Sequence, residues 1–302
     1  MGFRKSHTPL NMKDRLSFFK WYGGKGLLFR KILPYLTTSH NVYVEVYGGG
    51  ASVLLNKPPS PIEVLNDIDS EVVNIFRVAQ DEAKFRELKH RLEWTLYSRE
   101  EFVKALDIVQ NETITDPVLR AWAFFVAQNQ GFSGKDSRSS SEGSWARAFN
   151  INRNRATAFA NKVSKLDLIR KRLKNVQVDN TDAIACIQYW DSPDTLFYLD
   201  PPYIHDTRKT KEAYHHEADD NHHCQLVDTL LAIKGQAVLS GYTHEIYEPL
   251  LENGWHKVEI DTVCHAAVKA RGSKLQGEGS AKQHAKRIEV LYLKLRNDTL
   301  LF

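Results

Sequence analysis

Apolar and polar positions along the 302-residue chain follow two alternating periods. Short runs rich in Val, Ile, Tyr and Phe read as strands: "NVYVEVY" (41–47), "IEVLND" (62–67), "VQVDN" (176–180), "TLFYLD" (195–200) and "GQAVLSGY" (235–242). Between them lie segments with helical spacing: "SEVVNIFRVAQ" (70–80), "TAFANKVSKLDLIRKRLK" (157–174) and "HCQLVDTLLAI" (223–233). Near the end, "HKVEIDTV" (256–263) and "RIEVLYLKL" (287–295) read as a closing antiparallel pair, which brings the predicted strands to seven. Strands alternating with helices predict an α/β fold with a mostly parallel sheet covered on both faces.

One interval breaks this rhythm. From about 80 to 155 the pattern turns helical, with "EAKFRELKHRLEW", "REEFVKALDIV" and the aromatic "DPVLRAWAFFVAQNQ". It then passes into the Ser- and Gly-rich "GFSGKDSRSSSEGSW" and the basic "ARAFNINRNRA". The division expected is a main domain of residues 1–79 and 156–302, interrupted by a helical insertion at 80–155. The aromatic residues of "RAWAFFVAQNQ" are expected in the core rather than as a base-stacking platform.

Composition narrows the class. The net charge of +4 conceals two basic blocks. Residues 130–174 hold 11 Lys and Arg against 3 Asp and Glu, and residues 266–287 hold 6 against 1. Both are rich in small polar residues and look like phosphate-contacting loops, which points toward nucleic acid. Lys135, Arg138, Arg147, Arg153, Arg155, Lys269 and Arg271 are the candidate contacts. No apolar run reaches the roughly 18 residues of a membrane span, and the basic N-terminus lacks a signal-peptide core. Three well-separated cysteines suit a reducing cytoplasm. The His-rich "YHHEADDNHHC" (214–224) matches no zinc spacing, so no metal is expected.

Candidate chemistry collects where strands end. "VEVYGGGAS" closes the first strand with three glycines that allow close backbone approach to a ligand, although it is not a GxxxxGK[ST] phosphate loop. Glu45 precedes these glycines, and Asp67 ends the second strand. Asp67 is placed either to accept from ribose hydroxyls or to cap the following helix. "FKWYGGKG" (19–26) forms a turn between Trp21 and Lys25. In "LFYLDPPYIHD" (196–206), a buried strand runs straight into Asp200, Pro201, Pro202 and Tyr203; a turn alone would account for the prolines.

In this order, "KWYGGK", "VEVYGGGASV", "VLNDID" and "LDPPY" resemble the Dam-type, D12-class family of DNA adenine-N6 methyltransferases. The resemblance spans about residues 18–295. It implies a seven-stranded Rossmann-like fold that uses S-adenosylmethionine, an inserted target-recognition domain and double-stranded DNA as partner; a monomer is expected, since nothing in the sequence calls for more. By position, Trp21, Lys25, Glu45, Tyr47, Gly49, Asp67 and Asp182 would surround the methyl donor. Asp67 would take the ribose hydroxyls and Asp182 the donor's adenine. Asp200, Pro201, Pro202 and Tyr203 would form the catalytic corner. "HHCQL" resembles the family's Asp-His element, with His222 in place of the acid. The chain departs from the family where Val46 replaces Pro, where Ala51 replaces Gly, and in the recognition segment, so a GATC target is one candidate among several.

The corner suits an exocyclic amino group. Adenine N6 is a poor nucleophile because its lone pair is delocalised into the ring. Two acceptors on its N–H groups, the Asp200 carboxylate and the Pro201 carbonyl, favour a nitrogen whose lone pair can attack. Pro202 stiffens the corner, and Tyr203 would stack on a base flipped from the duplex. Methylation at cytosine C5 is excluded, because no cysteine follows a proline. Cytosine N4, RNA adenine and a protein glutamine amide share the acceptor logic and stand as alternatives.

Overall fold

Period-two alternation in the sheet decides which side chains meet which layer. The computed structural model describes residues 15–132, 144–148, 154–204, 218–263 and 286–296. Within them, β1 (Val42–Glu45), β2 (Ile62–Asn66), β3 (Val176–Asp179), β4 (Thr195–Leu199), β5 (Gln236–Gly241), β6 (His256–Val263) and β7 (Lys286–Lys294) form one sheet. The strand order is 3-2-1-4-5-7-6, with β1 to β5 parallel and β7 antiparallel to both β5 and β6. The closing pair therefore has the sense its sequence predicted.

Ten helices are described: α1 (Phe29–Ile32), α2 (Ser70–Gln80), α3 (Glu82–Glu93), α4 (Arg99–Gln110), α5 (Pro117–Gln130), α6 (Arg155–Val163), α7 (Leu166–Leu173), α8 (Ala183–Trp190), α9 (Asp220–Ala232) and α10 (Glu248–Glu252). Tyr43, Leu65, Tyr198, Val238 and Leu291 belong to one core, beneath α2 to α7. Val44, Val64, Phe197, Leu239 and Tyr292 belong to the other, beneath α8 to α10. Each fully buried Val, Leu or Phe is worth about 1.5–3 kcal/mol, so both layers are held by hydrocarbon.

Local signals set the helix starts. Asp69, Asp81, Ser98 and Asp116 cap α2 to α5 by accepting backbone N–H bonds, and Pro117 opens α5, where its missing donor is harmless. Asp67 is not the cap of α2; Asp69, two residues on, takes that role. The interval 80–155 is helical as far as α5, with an isolated Gly131–Trp145 bridge beyond it. Trp122, Phe124 and Phe125 are buried, as expected of core aromatics. Phe124 packs edge-on against Phe19 and Phe125 against Phe159, so α5 shares its core with the N-terminal segment and α6.

Two local readings are corrected. The segment 157–174 is two helices, because the chain tightens at Ser164–Lys165, where Lys165 N–H bonds the carbonyl of Lys162. The apolar spacing Phe159, Val163, Leu166, Ile169 and Leu173 runs through this turn unbroken, so periodicity gives no sign of it. The first strand ends at Glu45 rather than residue 47: Val46 N–H makes a last bond to the Tyr198 carbonyl at 3.1 Å, and the chain then enters the glycine turn. No described helix is long and apolar enough to cross a membrane. Cys186 is buried and Cys224 exposed, with no disulfide between them.

Candidate active site

β1 lies at the centre of the sheet, with β2 and β3 on one side and β4 on the other, so the direction of strand succession reverses between β1 and β4. Ligand crevices in such sheets open beyond the carboxyl ends of the strands at this point. The turn after β1 lies there. Gly48 N–H donates to the carbonyl of Asn66 at 2.8 Å, and Gly49 N–H donates to Asp67 Oδ2 at 2.7 Å. Gly49 has φ +45°, and a Cβ built there would lie 2.5 Å from Trp21 Nε1. Glycine is required at this position both by conformation and by the indole. Ala51, also with positive φ (48°), adopts a conformation that L side chains rarely take.

A cavity opens against this turn, with an empty volume of about 960 Å³ that includes the open solvent at its mouth. Trp21, Lys25, Glu45, Tyr47, Gly49, Asp67, Asp182, Asp200 and Pro202 all line it. The structure thus gathers these predicted residues, which are spread over 182 positions of sequence, around one space. Asp182 also caps α8, accepting from Ile184 N–H at 2.9 Å. Asp67 uses its other oxygen to accept from Asp69 N–H at 2.9 Å. Tyr47 and His222, at the start of α9, meet at 2.7 Å between the hydroxyl and Nε2.

Glu45 is almost fully buried. Its Oε2 accepts from Leu54 N–H at 2.7 Å and from the Tyr43 hydroxyl at 3.0 Å. Burial pushes its carboxyl up to about 8, against these two hydrogen bonds, which favour the ionised form.

Around Asp200 the charges are dense. Lys25 Nζ lies 2.6 Å from Asp200 Oδ1 and 3.3 Å from Glu289 Oε1, and donates to the Gly23 carbonyl at 3.2 Å and to the Tyr203 hydroxyl. Tyr203 in turn donates to Glu289, as does Ser240 Oγ at 2.9 Å. Burial pushes Asp200 up to about 6; Lys25 opposes this and Glu289 adds to it. Burial alone would lower the Lys25 ammonium, but Asp200 and Glu289 outweigh it and hold the lysine charged. The Tyr203 ring takes the Lys25 ammonium 4.7 Å from its centroid and packs edge-on against Tyr242. His223, fully buried on α9, holds the Pro202 carbonyl through Nε2 at 3.0 Å, while its Nδ1 meets the Tyr247 hydroxyl at 2.9 Å.

Glu289, Ser240 and His223 are absent from the residues the sequence offered as a site. For Glu289 a signal existed: it puts a carboxylate at an inward position of a strand whose next two inward positions are Leu291 and Leu293. His223 carries no comparable signal beyond its neighbours in "HHCQL".

Of the candidate nucleic-acid contacts, Lys135, Arg138, Arg153, Lys269 and Arg271 lie outside the described residues. Arg147 is exposed, and Arg155 is half-buried at the start of α6. Arg155 is near enough to Lys20, the residue before Trp21, to act on its charge. Burial, and then Arg155, brings the Lys20 ammonium down to about 8. Burial, followed by Lys20, Arg15 and Lys165, brings Lys162 down to about 7. Among the described residues no group of His, Cys, Asp and Glu is arranged to hold a metal ion.

The sequence profile of the D12 class N6 adenine-specific DNA methyltransferases matches residues 21–260, well over half of the chain, and the protein belongs to that family. No curated protein matches it significantly.

Proposed function

We propose that this member of the D12 class methylates N6 of adenine in duplex DNA with S-adenosylmethionine as donor, using Asp200, Pro201, Pro202 and Tyr203 as the catalytic corner. Family membership gives the reaction class, an adenine-specific DNA methyltransferase. The observation that carries the residue assignment is the single cavity shared by the Gly48–Gly50 turn, Asp67, Asp182 and Asp200.

The lining fits the donor. A diol, an aromatic amine and a positively charged sulfonium need acceptors and negative charge, and the lining supplies Asp67, Asp182, Glu45 and Asp200. Asp67 would hold the ribose hydroxyls with lone pairs not used by the two backbone N–H groups, since each carboxylate offers about four sites. Asp182 would hold the adenine amine, Trp21 and the Gly49 backbone would form the wall, and Tyr47 with His222 would close the rim. When bound, the donor supplies an electrophilic methyl group, so the chain needs no nucleophilic side chain of its own.

The chain's task is then the acceptor amine. Asp200 and the Pro201 carbonyl accept its two N–H groups and free its lone pair. Acceptors fixed before reaction are worth roughly 2–4 kcal/mol each. Two proline rings and the His223 bond to Pro202 limit drift of the corner. Tyr203 would cover the flipped base. The segment 80–155 serves as the target-recognition insertion, and Arg147, Arg155 and their basic neighbours would contact phosphates. One chain carries every residue this reading uses, so a monomer suffices.

The test incubates the protein with S-adenosylmethionine and unmethylated plasmid, then reads modified bases by single-molecule sequencing, with Asp200→Ala in parallel. N6-methyladenine at a recurring site in the wild type and none with Asp200→Ala is the expected result. Full activity of that variant removes Asp200 from the mechanism. Methylation of RNA or of a glutamine amide in place of DNA overturns the substrate assignment.

A further inference from the structure

A position on β7 carries a charge the reaction has not yet used. β7 runs antiparallel to β5, so its first residues enter at the edge where the parallel strands end. There Glu289 faces inward, 4% exposed. A buried carboxylate is expensive unless paired and hydrogen-bonded. Its three partners among the described residues belong to the site or touch it: Tyr203, Lys25 and Ser240.

We propose that Glu289 is a positioning residue for methyl transfer: it holds the Tyr203 hydroxyl and the Lys25 ammonium as one unit beside Asp200, so that Asp200 keeps accepting capacity for the substrate amino group. This rests on the reaction assigned above. An ammonium has three N–H donors. Here they meet the Gly23 carbonyl, Asp200 Oδ1 and the Tyr203 oxygen. Tyr203 can accept from Lys25 because its own proton points to Glu289. Ser240 donates to the same Glu289 oxygen and fixes the carboxylate. A connected line of bonds thus runs from β5 through Glu289, Tyr203 and Lys25 to Asp200.

The charge count supports the role. With Asp200 alone, Lys25 would form a pair of no net charge. With Glu289 the group of three carries one net negative charge, so Asp200 remains an acceptor. Methyl transfer turns a neutral amino nitrogen into a cation that must release one N–H proton, and Asp200, bonded to that nitrogen, is the base in place. A net negative cluster stabilises both the developing cation and the group that takes its proton.

The experiment compares wild type, Glu289→Gln and Glu289→Asp by steady-state kinetics across pH, together with the 13C carboxyl titration of Asp200 in the absence of substrate. Among the described residues, Lys25, Glu289, Tyr203, Glu45, Tyr198 and Tyr247 are titratable groups that interact with Asp200. Glu289→Gln is expected to lower kcat about tenfold or more, to leave the KM for the donor within about twofold because Glu289 does not line the cavity, and to move the acid limb and the Asp200 titration to lower pH. Glu289→Asp is expected to bring the titration back toward wild type. An unmoved titration, or a kcat loss with an unmoved limb, assigns Glu289 to packing and overturns the inference. A wild type that methylates no DNA adenine overturns the substrate reading alone, because the carboxyl titration still reports on Glu289.

Discussion

The backbone N–H of Gly49 donates to Asp67 Oδ2 at 2.7 Å, tying the turn after β1 to the end of β2. This bond makes the proposed donor wall a product of two neighbouring strands rather than of a loose loop. It also places Gly49 where only hydrogen fits beside Trp21. Gly49→Ala therefore has to displace the indole or the turn. The expected outcome is a donor Kd raised about tenfold or more, with the melting temperature falling by the few degrees that 1–2 kcal/mol implies. Isothermal titration with S-adenosylmethionine checks it, and unchanged affinity would remove Gly49 from the donor wall.

On the proposed assignment, Glu45 makes donor binding depend on pH. Its carboxyl is raised by burial to about 8, above its ordinary value of 4.5. Between roughly 4.5 and 8 the unfolded chain has lost this proton and the folded chain has kept it, so stability falls across that window and levels off above it. A cationic donor reverses the preference, because the ionised carboxyl attracts it. Affinity for S-adenosylmethionine is expected to rise as pH climbs from 6.5 to 8.5, and to rise much less for the uncharged thioether product. Glu45→Gln should flatten the difference. Parallel slopes for both ligands would show that Glu45 does not face the charge.

His223 acts on the corner from behind. It is fully buried, with Pro202 on one ring nitrogen and Tyr247 on the other. His223→Phe keeps a ring in the space but orphans a carbonyl and a hydroxyl, at about 1–3 kcal/mol each. The expected variant melts earlier and loses about tenfold or more in kcat, while its donor affinity stays near wild type. Thermal melts, titration and turnover on one plasmid separate these effects. Wild-type kcat in a destabilised variant would leave His223 a structural role only.

What the residues told in advance was local. The boundaries of α2 and β6 and the antiparallel closing pair could be read off, because period and capping act within a few residues. Glu45, Gly49, Asp67 and Asp200 were readable for the same reason, each in a short motif at a strand end, whereas Trp21 and Lys25 lie in the glycine turn ahead of the first strand and Asp182 was offered only by the family resemblance. The pairing of Lys25 with Asp200, 175 positions apart, was not, since only the folded sheet brings them together. Glu289 belongs to the same class, and its role became visible only beside Tyr203 and Ser240. The break between α6 and α7 was hidden for another reason, because a single tightened turn leaves apolar spacing intact.

The cations on the α6 side give the last prediction. Arg155, Lys20, Lys162, Lys165 and Arg15 stand close enough that burial and mutual repulsion depress Lys20 and Lys162. Such a group is relieved by an anion, and a DNA strand passing the rim beside Trp21 would supply phosphates. Each phosphate contact adds about 0.9 to the slope of log K against log salt. The double variant Arg147→Ala, Arg155→Ala is expected to bind duplex DNA more weakly at every sequence, with that slope reduced by about 1–2. It should keep the methylated site seen with wild type, because phosphate contacts position the duplex without reading bases. Fluorescence anisotropy from low to moderate salt measures the slope, and sequencing of methylated plasmid measures the site. An unchanged slope would put the DNA path elsewhere on the surface. A changed site would mean that one of these arginines reads a base.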